Sequence, residues 1–137
     1  MALRDEVFRR ADNCCEYCLI PQAVTLLPHE VDHIIAQKHD GETVADNLCL
    51  ACFACNSFKG SNVAGVDSVT KEVCRLFHPR REVWSEHFYW DGPMLAARTT
   101  IGRATLAVLR INQPERVELR RLLLLFGDWV SHKELGT

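Results

Sequence analysis

Two cysteine pairs and a polar run between them carry the chemistry legible in this sequence. Cys15-Glu16-Tyr17-Cys18 is one CxxC turn and Cys52-Phe53-Ala54-Cys55 is another, with thirty-three residues between them. A CxxC turn aims two thiolates at one ion, and two such turns complete a closed tetrahedral four-cysteine site of the structural zinc type. The usual gap between such pairs is about 15–20 residues, so the longer insert here must fold in its own right. Cys14 reads as a bystander, because pairing it with Cys18 would break the CxxC spacing. Cys49 and Cys52 share that spacing, but on a strand they would point to opposite faces, which favours Cys52 with Cys55. Cys49 and Cys74 read as small core residues. A redox or zinc-sensing role for the pairs would leave the polar run between them unexplained.

That run is "HEVDHIIAQKHDGETVADN". Asp32 and His33 are adjacent, so an ideal strand would send them to opposite faces, while a twisted or bulged strand end would aim both at one cleft. A histidine, with an ordinary pKa near ~6.5, is suited to take a proton from water near neutral pH. Hard oxygen donors such as a carboxylate and an amide suit a Mg²⁺-like ion that keeps several waters. Alone, His33 would be an ordinary strand histidine, Asp32 a turn or surface carboxylate, and Asn56 a helix cap.

Together, "CEYC…VDHIIAQKHDGETVADNLCLACFACNSFKG" resembles an HNH endonuclease, in the variant whose ββα-metal finger carries a four-cysteine zinc site. The resemblance covers residues 15 to about 62 and rests on both CxxC pairs, the DH dipeptide, Asp40-Gly41, D-N-L at 46–48 and C-N-x-x-K-G at 55–60. It implies a metal-dependent nuclease acting on DNA. His33 is then the general base, Asp32 and Asn56 hold a catalytic Mg²⁺ or Mn²⁺, and Cys15, Cys18, Cys52 and Cys55 hold a structural Zn²⁺. Asn47 is the middle asparagine, expected to hold the loop and orient His33 through backbone contacts. Lys59 and Lys38 become candidate phosphate contacts, although loop polarity explains Lys38 equally well. Ala36 stands where the family often has proline, and Asn56 stands where other members place a second histidine. The alternative is a zinc-stabilised nucleic-acid-binding module that has lost catalysis.

The bulk composition fits a soluble globular protein with a buried core, at 47% apolar and 25% charged residues over 137 positions, and the resemblance implies an α+β fold. Seven cysteines, an odd number, argue against a disulfide framework. No apolar run is long enough to span a membrane, and the charged "MALRDEVFRRADN" start lacks the apolar core of a secretory signal, so we expect a cytoplasmic protein. The net charge of −2 does not announce a nucleic-acid binder. Residues 1–97 carry nine basic against fourteen acidic residues, while residues 98–137 carry seven against four. Bound metal would offset part of the first deficit. A dimer or a partner protein would supply part of the grip on double-stranded DNA.

These residues need elements to position them. The sequence predicts an amphipathic helix over "ALRDEVFRRAD", ended by Asn13, then a tight turn at the first CxxC. Strands are expected at "HEVDHIIAQ" and "LCLAC", and a short helix at "CNSFKGSN", where Gly60 would cap or kink it. We expect residues 1–65 to form the zinc-bound nuclease core. Residues 66–137 would form an extension packed on it as one domain, with an irregular part and two helices. A short strand is expected within "EVWSEHFYW". Asn112 is the expected N-cap of the last helix, with Pro114 and Glu115 in its first turn. Its "LLLLF" run, apolar all round, points to burial or a partner. Arg80, Arg81, Arg98 and Arg103 would contact phosphates or pair with the acidic front part.

Overall fold

A helix, α1 (Leu3–Arg10), leads into the first cysteine turn, which is followed by strand β1 (Glu30–His33) and strand β2 (Leu48–Ala51) and then by helix α2 (Phe53–Lys59). The computed structural model describes residues 2–129; residues 130–137 of the extension lie outside the described residues. The architecture is α+β, and β1, β2 and α2 form a ββα unit. β1 and β2 pair antiparallel in regular register, with Asp32 opposite Cys49 and His33 opposite Leu48.

Strand alternation divides this hairpin into two faces. Leu48 and Leu50 meet Val7 of α1 in one buried cluster, with Leu3, Phe8 and Val31 against it. α1 ends where Asp12 and Asn13 both take left-handed φ values of 53° and 58°, and Asn13 N–H closes on Phe8 O at 3.1 Å. The opposite face, with Cys49 and Ala51, belongs to the larger core. That core also holds the cysteine turns and Leu76, Phe77, Phe88, Leu95, Leu109 and Ile111 of the extension.

The extension is more regular than its sequence suggests. Residues expected to be irregular form a hairpin of β3 (Ala64–Val66) and β4 (Val73–Arg75). The predicted strand in "EVWSEHFYW" splits into a helical turn, α3 (Trp84–His87), and a strand, β5 (Phe88–Asp91). β5 pairs with β6 (Met94–Ala97) across a turn at Gly92, whose φ is 58°. Helix α4 (Thr100–Val108) follows, with the Thr99 hydroxyl accepting from Gly102 N–H at 3.0 Å. No described helix is long and apolar enough to cross a membrane.

The last helix, α5 (Pro114–Leu125), corrects one expectation. Its N-cap position is Gln113, not Asn112. The Asn112 amide instead reaches back to β6, donating to Leu95 O at 2.7 Å and accepting from Leu95 N–H at 3.0 Å and from Arg120 at 2.9 Å. Of the apolar run, expected to be buried or to meet a partner, Leu125 is 67% and Phe126 72% exposed, whereas Arg120 is 2% exposed. The guanidinium goes inward because Pro93, Ile111 and Asn112 supply three acceptors for it at 2.7–2.9 Å. Asn112→Ala should therefore lower stability by about 2–3 kcal/mol by leaving buried partners unsatisfied. A urea midpoint shifted down with unchanged slope checks this; an unchanged midpoint would deny Asn112 that role.

Candidate functional site

The four cysteines of the two CxxC turns come together and are buried, their sulfurs all within 4.8 Å of one another. A zinc ion with metal–sulfur bonds of about 2.3 Å needs a tetrahedron with edges of about 3.8 Å. The Cys18 and Cys52 sulfurs stand 3.7 Å apart. In each turn the last cysteine's N–H points at the first cysteine's sulfur, Cys18 to Cys15 at 3.5 Å and Cys55 to Cys52 at 3.4 Å. Burial pushes the Cys15 and Cys55 thiols well up, while hydrogen bonds from the neighbouring cysteines hold Cys18 well down. The donor set and spacing fit Zn²⁺. Cys14, Cys49 and Cys74 stand outside this cluster.

A second cation reaches the cluster from α5. Arg116 donates to Cys55 Sγ at 3.0 Å and approaches Cys52 Sγ at 3.8 Å. Its other arm donates to Leu109 O at 2.7 Å, which fixes its direction. Sequence reasoning missed Arg116, which lies sixty-one residues from Cys55.

Both cysteine turns also reach Asp32. Tyr17, inside the first CxxC, is fully buried and donates its hydroxyl to Asp32 Oδ2 at 3.2 Å. Lys59, at the end of the helix that the second CxxC starts, puts Nζ 3.0 Å from the same oxygen. Cys49, opposite Asp32 in the hairpin, directs its thiol there at 3.7 Å. Asp32 Oδ1 carries none of these contacts. Burial pushes the Asp32 carboxyl up, opposed by the Lys59 ammonium beside it. Lys59 also donates to His33 O at 3.0 Å.

Lys59, expected as a phosphate contact, is engaged within the protein. The side chain is 1% exposed and committed to Asp32 and His33 O, because α2 packs its inner face on the hairpin. Lys38 is exposed in the loop after β1. Asn56 lies one turn before Lys59, on the same side of α2, and makes no side-chain hydrogen bond among the described residues.

His33 is the last residue of β1 and pairs in regular register opposite Leu48. His33 Nε2 lies 2.8 Å from the Thr43 hydroxyl, which also accepts from Gln37 at 3.3 Å. Asn47 staples the loop that carries Thr43. Its Oδ1 accepts from Ile35 N–H at 2.9 Å, and its Nδ2 donates to Ile35 O at 3.0 Å and Glu42 O at 2.8 Å. Gly41 is needed here, since a Cβ would fall 1.7 Å from Ile35 O. Tyr17 and Thr43 were not singled out from sequence, because only the fold shows that they touch Asp32 and His33.

Residues 15–62 match the family model described as HNH endonuclease. That HNH segment opens at the first cysteine of the cluster and closes just after α2, so it takes in both CxxC turns, the hairpin and the helix. It leaves out α1 and the extension, including Arg116. No curated protein and no solved structure matches the chain.

Two predictions follow from these contacts. Lys59→Met should destabilise the fold by about 3–5 kcal/mol, because Asp32 would be left as an unpaired buried charge. Adding Asp32→Asn should recover much of the loss in a double-mutant cycle; additive losses would show that the pair does not interact. Arg116→Gln should weaken zinc by about 10-fold or more, as loss of an outer-sphere partner typically does. Competition with a chromophoric chelator checks this, and wild-type retention would place Arg116 outside the metal's influence.

Proposed function

We propose that the chain is a metal-dependent endonuclease that hydrolyses phosphodiester bonds in double-stranded DNA. The observation that carries this reading is the HNH match across Asp32, His33, Asn47 and Asn56, on a ββα unit whose loop is stapled by Asn47. His33 is the proposed general base. In the tautomer whose Nε2–H donates to Thr43, Nδ1 takes the proton from the attacking water. The water oxygen then bonds to phosphorus and the scissile P–O bond breaks, the electron pair leaving on the departing oxygen. Asp32 through Oδ1 and Asn56 through its amide oxygen are the residues that would hold a catalytic divalent ion, and their hard oxygen donors fit Mg²⁺ or Mn²⁺. Such an ion supplies neutralisation of the charge that builds on the phosphate and the leaving oxygen. The four cysteines, with structural zinc, preorganise the helix that carries Asn56. Lys38 is a proposed phosphate contact. A dimer or partner chain would strengthen the grip of a protein with so little net positive charge.

One observation favours a second reading, a zinc-stabilised nucleic-acid-binding module without catalysis. Asp32 already has a fixed cation on it, the Lys59 ammonium. Supercoiled plasmid separates the two readings. Wild-type zinc-loaded protein should nick it with added Mg²⁺ or Mn²⁺, and should not do so with EDTA; His33→Ala should lose at least 10²-fold in rate. Folded, zinc-loaded protein that binds plasmid but never nicks it would establish the binding module.

A further inference from the structure

A cleft of about 390 Å³ lies between the ββα unit and the extension. One side is formed by Ile34, the residue after His33, and by Lys59; Asn62 borders it just beyond α2. The other side is the 75–82 segment, with His78 and Arg81. That segment lies outside the HNH match.

The charges lining this cleft are nearly all paired. Arg75 grips Glu82 with two bonds at 2.7 and 2.9 Å, and His87 adds a contact at 3.2 Å. Lys59 is committed to Asp32. Among the four arginines singled out from sequence, Arg80 pairs with Glu16 and Arg103 with Asp67. Arg98 lies over the Tyr89 ring and donates to Ser85 O. Arg81 alone of the four makes no ion pair or side-chain hydrogen bond among the described residues.

The turn that presents Arg81 is held from within. Glu82 N–H closes on His78 O at 3.0 Å, and the Glu82 carboxylate accepts from His78 N–H at 2.8 Å. His78 Nδ1 accepts from the Arg80 and Arg81 amides at 3.2 and 3.3 Å, which leaves the ring proton on Nε2 as a donor. The Asn62 amide makes no side-chain hydrogen bond among the described residues. The cleft therefore offers one unpaired positive charge and two neutral donor groups, one residue away from His33.

We propose that this cleft is a phosphodiester subsite: Arg81 pairs with one backbone phosphate of the DNA strand, and Asn62 and His78 are its neutral donors. A single unpaired charge matches the single negative charge of a diester. A doubly charged phosphate monoester would keep one charge unmatched. The subsite rests on the nuclease reading above and gives the extension a share in substrate binding.

Fluorescence anisotropy with a short labelled DNA duplex, on zinc-loaded protein without added Mg²⁺ and across a salt series, tests the subsite. Arg81→Gln should weaken binding about 10-fold and lower the slope of log K against log salt by about 1. Arg98→Gln, the control arginine on Tyr89, should bind as wild type does. Arg81→Gln with unchanged affinity and slope, beside a wild type that binds or nicks DNA, would overturn the subsite and spare the nuclease reading. A wild type that neither binds duplex nor nicks plasmid would overturn both.

Discussion

One carboxylate oxygen, Asp32 Oδ2, is the point on which the ββα unit closes. The Tyr17 hydroxyl, the Lys59 ammonium and the Cys49 thiol all converge on it. Each comes from a different segment: the first cysteine turn, the end of α2 and the neighbouring strand. A buried carboxylate without partners would be costly, and its charge would be suppressed. With a cation and a hydroxyl beside it, Asp32 instead fixes how the turn, the hairpin and the helix fit together.

The cysteine cluster works from the other end of the same two arms. Cys15 and Cys18 bracket Tyr17, and Cys52 and Cys55 start the helix that carries Asn56 and Lys59. Gathering the four sulfurs therefore sets the distance over which Tyr17 and Lys59 reach Asp32. The first turn is also fastened to the hairpin, with Glu16 N–H on Leu50 O at 2.8 Å and the Glu16 carboxylate on Leu50 N–H at 2.8 Å. The extension adds Arg116 at the sulfurs, and the Trp84 indole donates to Tyr17 O at 2.8 Å. It thus supports the cluster from outside the matched family segment.

The two halves of the candidate site differ in kind. Asp32 and Lys59 are interior groups whose geometry is set by packing. His33 and Thr43 meet toward solvent, beside a loop that Asn47 and Gly41 tie down. Rigid backbone at both halves is what a site built on a short two-stranded hairpin requires, because the hairpin alone would be marginal.

The local motifs were legible in the sequence because they are governed by short spacing. Two CxxC turns and the alternation of β1 and β2 depend on neighbours a few residues apart, and the HNH segment is read from them. The partners that decide each group's chemistry are distant in the chain. Lys59 looked like a surface phosphate contact until α2 packed it against Asp32, and Asn112 looked like a helix cap until β6 offered it a paired N–H and C=O. The "LLLLF" run implied burial or a partner, and Arg120 took the inward place because backbone acceptors awaited it there. Local pattern determines which residues can form turns, strands and ligand sets. Only the tertiary structure decides which charges are neutralised and which remain open to a ligand, because that depends on groups brought together from separate segments of the chain.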